Sequence, residues 1–185
     1  MWEKLWVGDT GLYLVVHSER ESRKSNPTEV EILTRILAAG GTQPSDSIGI
    51  ITPHRAQRAM LNAAVVSNAA VDVVDTVERL QGGERQTIIV SATASDNTAI
   101  SKSAEFILDL NRSNVAFSRA QRRLMVICSD ALLDHIPAEL ENYESTLLWK
   151  SLREVCSLQI GEDNVSGHTV RIYTPPITAT APAGQ

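Results

Sequence analysis

Apolar residues occur along this chain in short runs separated by amphipathic stretches. Residues 11–17 (GLYLVVH), 47–52 (SIGIIT), 71–77 (VDVVDTV), 86–93 (QTIIVSAT) and 124–129 (LMVICS) are brief, apolar and rich in β-branched residues. That is the pattern of buried strands. After the first run, Asn26-Pro27-Thr28-Glu29 reads as a helix start. Asn26 can cap, Pro27 suits the first helical position, and Glu29 can reach back to the cap amide. Val30, Leu33, Ile36 and Leu37 repeat on one face, and Gly40-Gly41 ends the helix. Thr52-Pro53 opens a second helix running to about Val66. Residues 94–103 are polar and read as an exposed loop, and residues 104–120 contain a helical segment ending in SRAQRR. Asp130 caps a short helix that Pro137 stops, and Leu148, Leu152 and Val155 mark one face of a last helix.

Strands alternating with helices predict an α/β fold, with parallel pairing and helices on both faces. Right-handed crossovers then give a doubly wound, mainly parallel sheet. Residues 1–11 hold Trp2 and Trp6 without a clear period and read as a remnant or linker. Residues 12–158 read as the domain, and 159–185 as an extension in which 168–173 (HTVRIY) can form one strand. Its Pro/Ala/Thr-rich end has the composition of a flexible tail. Sites in such sheets lie at the carboxyl ends of the strands. Segments 52–58 and 76–84 both follow strands and are expected at that edge, whereas Ser118-Arg119 precedes one.

Composition sets limits. The chain has 185 residues, 43% hydrophobic and 21% charged, with a formal net charge of -5. A free-standing nucleic-acid binder is more often basic, so any such contact is local or shared with another domain. Cys128 and Cys156 form no CxxC, and the four histidines show no zinc spacing, so no metal site is expected. Both cysteines read as small buried hydrophobes, which suits an intracellular, reducing compartment. No apolar run approaches the ~20 residues of a membrane span.

Three segments carry chemistry. They are IGIITPHRAQR (48–58), VDTVERLQGGERQTIIVSAT (74–93) and NRSNVAFSRAQRRLMVI (111–127). In this order and spacing they resemble motifs IV, V and VI of superfamily 1 helicases. The likeness is to the branch typified by the RNA-surveillance helicase of nonsense-mediated decay and by related DNA helicases. It covers roughly residues 12–157 and implies the second RecA-like domain of a two-domain motor.

The resemblance implies roles. ATP with Mg2+ would sit mainly on a first RecA-like domain. The loop of Gln81, Gly82 and Glu84 would face the nucleotide, the glycines letting the backbone approach closely, with Glu84 toward the ribose or an arginine across the cleft. Arg119 would be an arginine finger on the γ-phosphate, its planar, always-charged fork stabilising the transferring group. Arg58 is a second finger candidate. Arg55 is its rival on the same early turn, and spacing does not separate them. Thr76 would donate to the backbone of single-stranded DNA or RNA without reading sequence. Arg58, Glu84 and Arg119 are thereby expected to converge on one rim. Asn26 and Glu29 also match a family Asn-x-x-Glu, but helix capping explains them, and no chemistry is assigned there. Arg122 and Arg123 read as solvated or helix-terminal charges, and His54 stands where the family often has Tyr.

The chain has no G-x-x-x-x-G-K-[ST] loop and no Asp-Glu pair at a strand end to hold magnesium. It is a P-loop NTPase-type fold without its own P-loop, so on its own it is expected not to hydrolyse ATP. The partner implied is an N-terminal RecA-like domain carrying Walker A and B. Two other readings remain: a non-catalytic RecA-like interaction module, and an unrelated nucleotide-binding α/β domain.

Overall fold

The computed structural model describes residues 1–8, 10–40, 47–76, 84–102, 118–137 and 143–176, and of 143–145 the backbone alone. Trp2–Trp6 form a short 3-10 turn. The elements that follow are β1 (Gly11–His17), α1 (Pro27–Gly40), β2 (Ile48–Thr52), α2 (Arg55–Val65), β3 (Val71–Thr76) and β4 (Arg85–Ser91). Then come α3 (Asn97–Lys102), β5 (Ala120–Ser129), α4 (Asp130–Leu133), α5 (Tyr143–Val155), β6 (Leu158–Val165) and β7 (His168–Thr174). The sheet order is β3-β2-β4-β5-β1-β7-β6. The first five strands in that order run parallel, and β7 and β6 each join antiparallel.

The core lies in two layers because successive strand residues face opposite ways. On one face Tyr13, Ile50, Ile89, Met125 and Ile127 pack with α1 and α2 through Leu33, Ile36 and Leu61. On the other, Leu14, Ile51, Val90 and Val126 pack with Ile100, Leu132, Trp149 and Leu152 of α3, α4 and α5. Each fully buried Leu or Ile contributes about 2 kcal/mol relative to exposure. The sheet is thus mostly parallel with helices on both faces, as an α/β RecA-like fold requires.

Several local expectations differ from the structure. The first residues are docked: Leu5 is fully buried, Trp6 Nε1 donates to Ile36 O at 2.9 Å, and Trp2 Nε1 donates to Asp163 Oδ2 at 3.1 Å. Residues 94 and 95 are buried, and Asn97–Lys102 are helical rather than an exposed loop. Strand β5 starts at Ala120, so QRR is strand, not a helix end. Arg123 is only 7% exposed; it donates to Gly8 O at 2.7 Å and lies 5.1 Å from the Trp6 ring centroid. The expected helix over 104–120 otherwise lies outside the described residues.

The cap of α4 is Ser129, whose Oγ accepts from Leu132 N at 3.1 Å, rather than Asp130. In α5 the buried face is Thr146, Trp149 and Leu152, while Val155 is 49% exposed.

The largest difference follows residue 157. Instead of one strand in an extension, β6 and β7 form a hairpin that extends the sheet beyond β1. Its two-residue turn uses Ser166 (φ 52) and Gly167 (φ 85), the left-handed pair that matches hairpin twist. Inner residues Val165, Val170 and Ile172 join the core beside α1, which is why a polar segment such as LQIGEDNV holds as an edge strand.

Two outcomes follow. A Cβ at Gly167 would meet nothing within 4 Å, so Gly167→Ala is expected to cost only the left-handed conformation, about 1 kcal/mol, read from the urea midpoint. Burial pushes the Cys156 thiol up to about 11, and burial with the nearby Glu29 and Asp130 charges raises Cys128 well above its ordinary value. A raised thiol contributes stability that is complete below the ordinary value of 9.0 and is lost, for Cys156, as pH climbs toward about 11. Folding stability against pH should fall in that window, and Cys156→Ser should flatten it.

Candidate functional site

The carboxyl ends of β2 and β3 lie side by side, with Thr52 in register with Thr76. Arg58, on the first turn of α2, donates from Nη1 to Asp75 Oδ1 at 2.9 Å, and the same oxygen accepts from Thr76 N at 2.8 Å. One carboxylate therefore ties Arg58 to the backbone of Thr76. Thr76 is itself only 7% exposed, whereas Arg55 is exposed. His54 caps α2 without a side-chain bond to the helix. Burial, and then the charge of Lys24, lower its pKa from 6.5.

Glu84 and Arg119 lie at the opposite edge. Strand β4 runs parallel to β2, and β2 to β3, so the chain leaving β3 must return to the amino edge before β4 begins. Glu84 immediately precedes β4 and Arg119 immediately precedes β5. Arg85 N donates to Arg119 O at 3.0 Å, and Gln121 Nε2 donates to Glu84 Oε2 at 2.9 Å. Glu84 is exposed, and Arg119 Nε is buried with no hydrogen-bond partner among the described residues. Gln81 and Gly82 lie outside the described residues.

The expected single rim is therefore two rims. Asp75 is level with Ile51 and Val90, while Ala120 is level with Arg85, five residues back along β4. Three interstrand steps of about 4.8 Å and five residues of about 3.3 Å put Asp75 and Ala120 about 22 Å apart. Glu84 and Arg119 are brought together; Arg58 and Thr76 are brought together; the pairs are not. Spacing along the chain conceals this, because β3 ends at one edge with Thr76 and β4 begins after Glu84 at the other.

A buried polar network at the carboxyl edge was not singled out as chemistry in the sequence. The Glu29 carboxylate accepts from Ser91 Oγ at 2.5 Å, from Thr93 N at 3.0 Å to each oxygen, and lies 3.1 Å from His17 Nε2. It does not return to the cap amide: Asn26 N donates to Gln57 Oε1 at 2.7 Å, although Asn26 Oδ1 does accept from Glu29 N at 3.0 Å. Gln57 Nε2 donates to Ser91 Oγ at 3.0 Å, and Asn26 Nδ2 donates to Thr93 O at 3.0 Å and Glu19 Oε2 at 2.9 Å. Burial opposes the charge on Glu19, but hydrogen bonds from Ser95, Glu21 and Ser22 outweigh it and hold the carboxyl below its ordinary value. The available signal was Asn-x-x-Glu behind one apolar strand and Ser-x-Thr closing another. Among the described residues no cluster of three or more His, Cys, Asp or Glu could hold a metal, and no helix is long and apolar enough to cross a membrane.

The parallel sheet, its flanking helices and the helicase-type motifs at its edges define a RecA-like lobe. A family model described as an AAA domain matches residues 4–131, and the chain belongs to that family, of superfamily 1 helicase type. Among similar proteins is the human DNA replication ATP-dependent helicase/nuclease DNA2, 34% identical over 119 residues. That match covers 62% of this chain and 11% of the relative. The DNA replication ATP-dependent helicase/nuclease JHS1 of Arabidopsis thaliana is 27% identical over 132 residues, 70% of this chain and 10% of the relative. The mouse 3'-5' exoribonuclease HELZ2 is 28% identical over 175 residues, 86% of this chain and 6% of the relative. The chain thus spans about a tenth, or less, of the lengths of these relatives.

The environment of His54 has a measurable consequence. Its lowered pKa keeps the imidazole neutral at pH 7, and the stability this contributes is present above 6.5 and declines as pH falls through the lower folded value. His54→Gln should flatten the acid side of a stability profile, and two-dimensional NMR should find the imidazole titrating below 6.5.

Proposed function

We propose that this chain is the second motor lobe of an ATP-dependent superfamily 1 helicase acting on single-stranded DNA or RNA. The observation that carries the reading is that Glu84 and Arg119 are neighbours on one rim, bridged by Arg85 N on Arg119 O, while Asp75 joins Arg58 to Thr76 on the other. One lobe can then face two ligands at once. The family and the helicase names of the relatives support the motor class.

On the amino rim, Arg119 serves as the finger. Its planar, always-charged fork suits the oxygens of a transferring phosphoryl group. Glu84, exposed beside it, meets the ribose or an arginine of the first lobe, and Gln81 and Gly82 are assigned to the nucleotide with it. ATP with Mg2+ supplies the phosphoryl chemistry when bound, mainly on an N-terminal lobe with Walker A and B. This chain supplies positive charge where negative charge develops. On the carboxyl rim, Thr76 donates to a phosphodiester. Arg58 is the second finger candidate, with Arg55 on the same turn. Its ion pair with Asp75 beside Thr76 favours a second reading, in which Arg58 grips the nucleic-acid backbone instead. Closure of the two lobes on ATP, and opening after hydrolysis, then shifts the grip on the strand.

The test joins this chain, in cis or in trans, to a lobe carrying the phosphate loop and measures strand-stimulated ATPase. Arg119→Ala is expected to lower turnover about 10³-fold or more; a loss of only a few-fold removes Arg119 from this role. An assembly with no stimulation favours the non-catalytic module. Tight ATP binding by the isolated chain favours an unrelated nucleotide-binding domain.

A further inference from the structure

Helix capping accounts for Asn26 but leaves the Glu29 side chain unexplained. Glu29 is fully buried on α1, yet its carboxylate is spent on another element, the exit of β4. That exit has an unusual shape. Thr93 has φ 74, a left-handed conformation that a β-branched residue avoids unless its surroundings impose it. The imposing contacts are visible: Thr93 N on both Glu29 oxygens and Thr93 O on Asn26 Nδ2. Held so, Thr93 places Oγ1 at 3.0 Å from Thr52 Oγ1, and Thr52 is the register partner of Thr76. A second route runs from Glu29 through Ser91 Oγ to Gln57, the residue before Arg58 on α2.

We propose that Glu29 is a positioning residue for the strand-facing edge, setting through the Thr93–Thr52 hydroxyl pair the end of β2 beside Thr76 and the first turn of α2. Glu29, Thr93 and Thr52 are fully buried, so they act through Thr76 and Arg58 rather than by touching a strand. The inference rests on the reading of that edge as the nucleic-acid side. The network lies wholly at the carboxyl edge, away from Glu84 and Arg119; with Arg58 taken as the grip on the nucleic-acid backbone, the second reading above, its loss should affect the strand and spare the nucleotide.

The experiment uses the full-length protein with its first lobe, and single-stranded oligodeoxythymidine and oligouridine as probes. ATPase is titrated against each strand and against ATP, with a thermal melt of every variant. Glu29→Gln turns one acceptor oxygen into a donor facing Thr93 N. Thr93→Val keeps the shape and deletes the hydroxyl. Each should raise the half-saturating strand concentration about ten-fold while kcat and the KM for ATP stay within about two-fold. Thr93→Ser, which keeps the hydroxyl, should match the wild type. A lower melting temperature with unchanged strand half-saturation in both variants overturns the proposal, as does a change in the KM for ATP alone. Should Glu29→Gln not fold, Thr93→Val and Thr93→Ser decide. A wild type without strand-stimulated turnover overturns the helicase reading and this inference together; a stimulated wild type with unaltered variants overturns this inference only.

Discussion

A carboxylate removed from water must be met by hydrogen-bond donors or its burial costs several kcal/mol, and Glu29 meets that constraint with groups from two strands. Ser91 and Thr93 bring the end of β4 to it, and His17 brings the end of β1. Gln57 and Asn26 close the circuit between the first turns of α2 and α1. The carboxyl edge of the sheet is thereby one hydrogen-bonded unit rather than a set of independent loops. Apolar packing alone would leave the strand exits free to vary; directional bonds to a buried carboxyl group do not.

The two rims follow from the direction of the strands. A parallel sheet sends every crossover from the carboxyl edge back to the amino edge, so residues close in sequence end up on opposite sides. Thr76 leaves β3 at one edge and Glu84 enters β4 at the other. The function proposed above would use that separation, one rim meeting a nucleotide and the other a strand. The hairpin of β6 and β7 belongs to this frame: it covers the free edge of β1 and gives the turn around Trp2–Trp6 and helix α1 something to pack against, through Trp2 and Arg35 on Asp163.

Much of the fold was legible because its signals are local. Apolar runs located all five parallel strands within a few residues, and Asn26, Pro27 and the repeat from Leu33 to Leu37 located α1. Where local signals competed, they misled. QRR before LMVIC suggested a helix end, but Arg123 is drawn into the strand by Gly8 O and the Trp6 ring. LQIGEDNV carries residues that strands disfavour, yet pairing with β7 holds it. Glu29 looked like half of a capping box until the end of β4, more than sixty residues away in sequence, arrived as a better partner.

The amino-acid sequence by itself determined the periodicities, hence the strands, the helices and a mostly parallel α/β sheet, and it carried the three motifs that place the chain among superfamily 1 helicases. Only the tertiary structure decided which edge Arg58, Thr76, Glu84 and Arg119 occupy, what the buried carboxylate binds, and that β6 and β7 join the sheet. The reason is physical: periodicity is written by neighbours a few positions apart, whereas strand direction, edge pairing and the satisfaction of a buried carboxyl group are settled by groups distant in the chain that meet only when it folds.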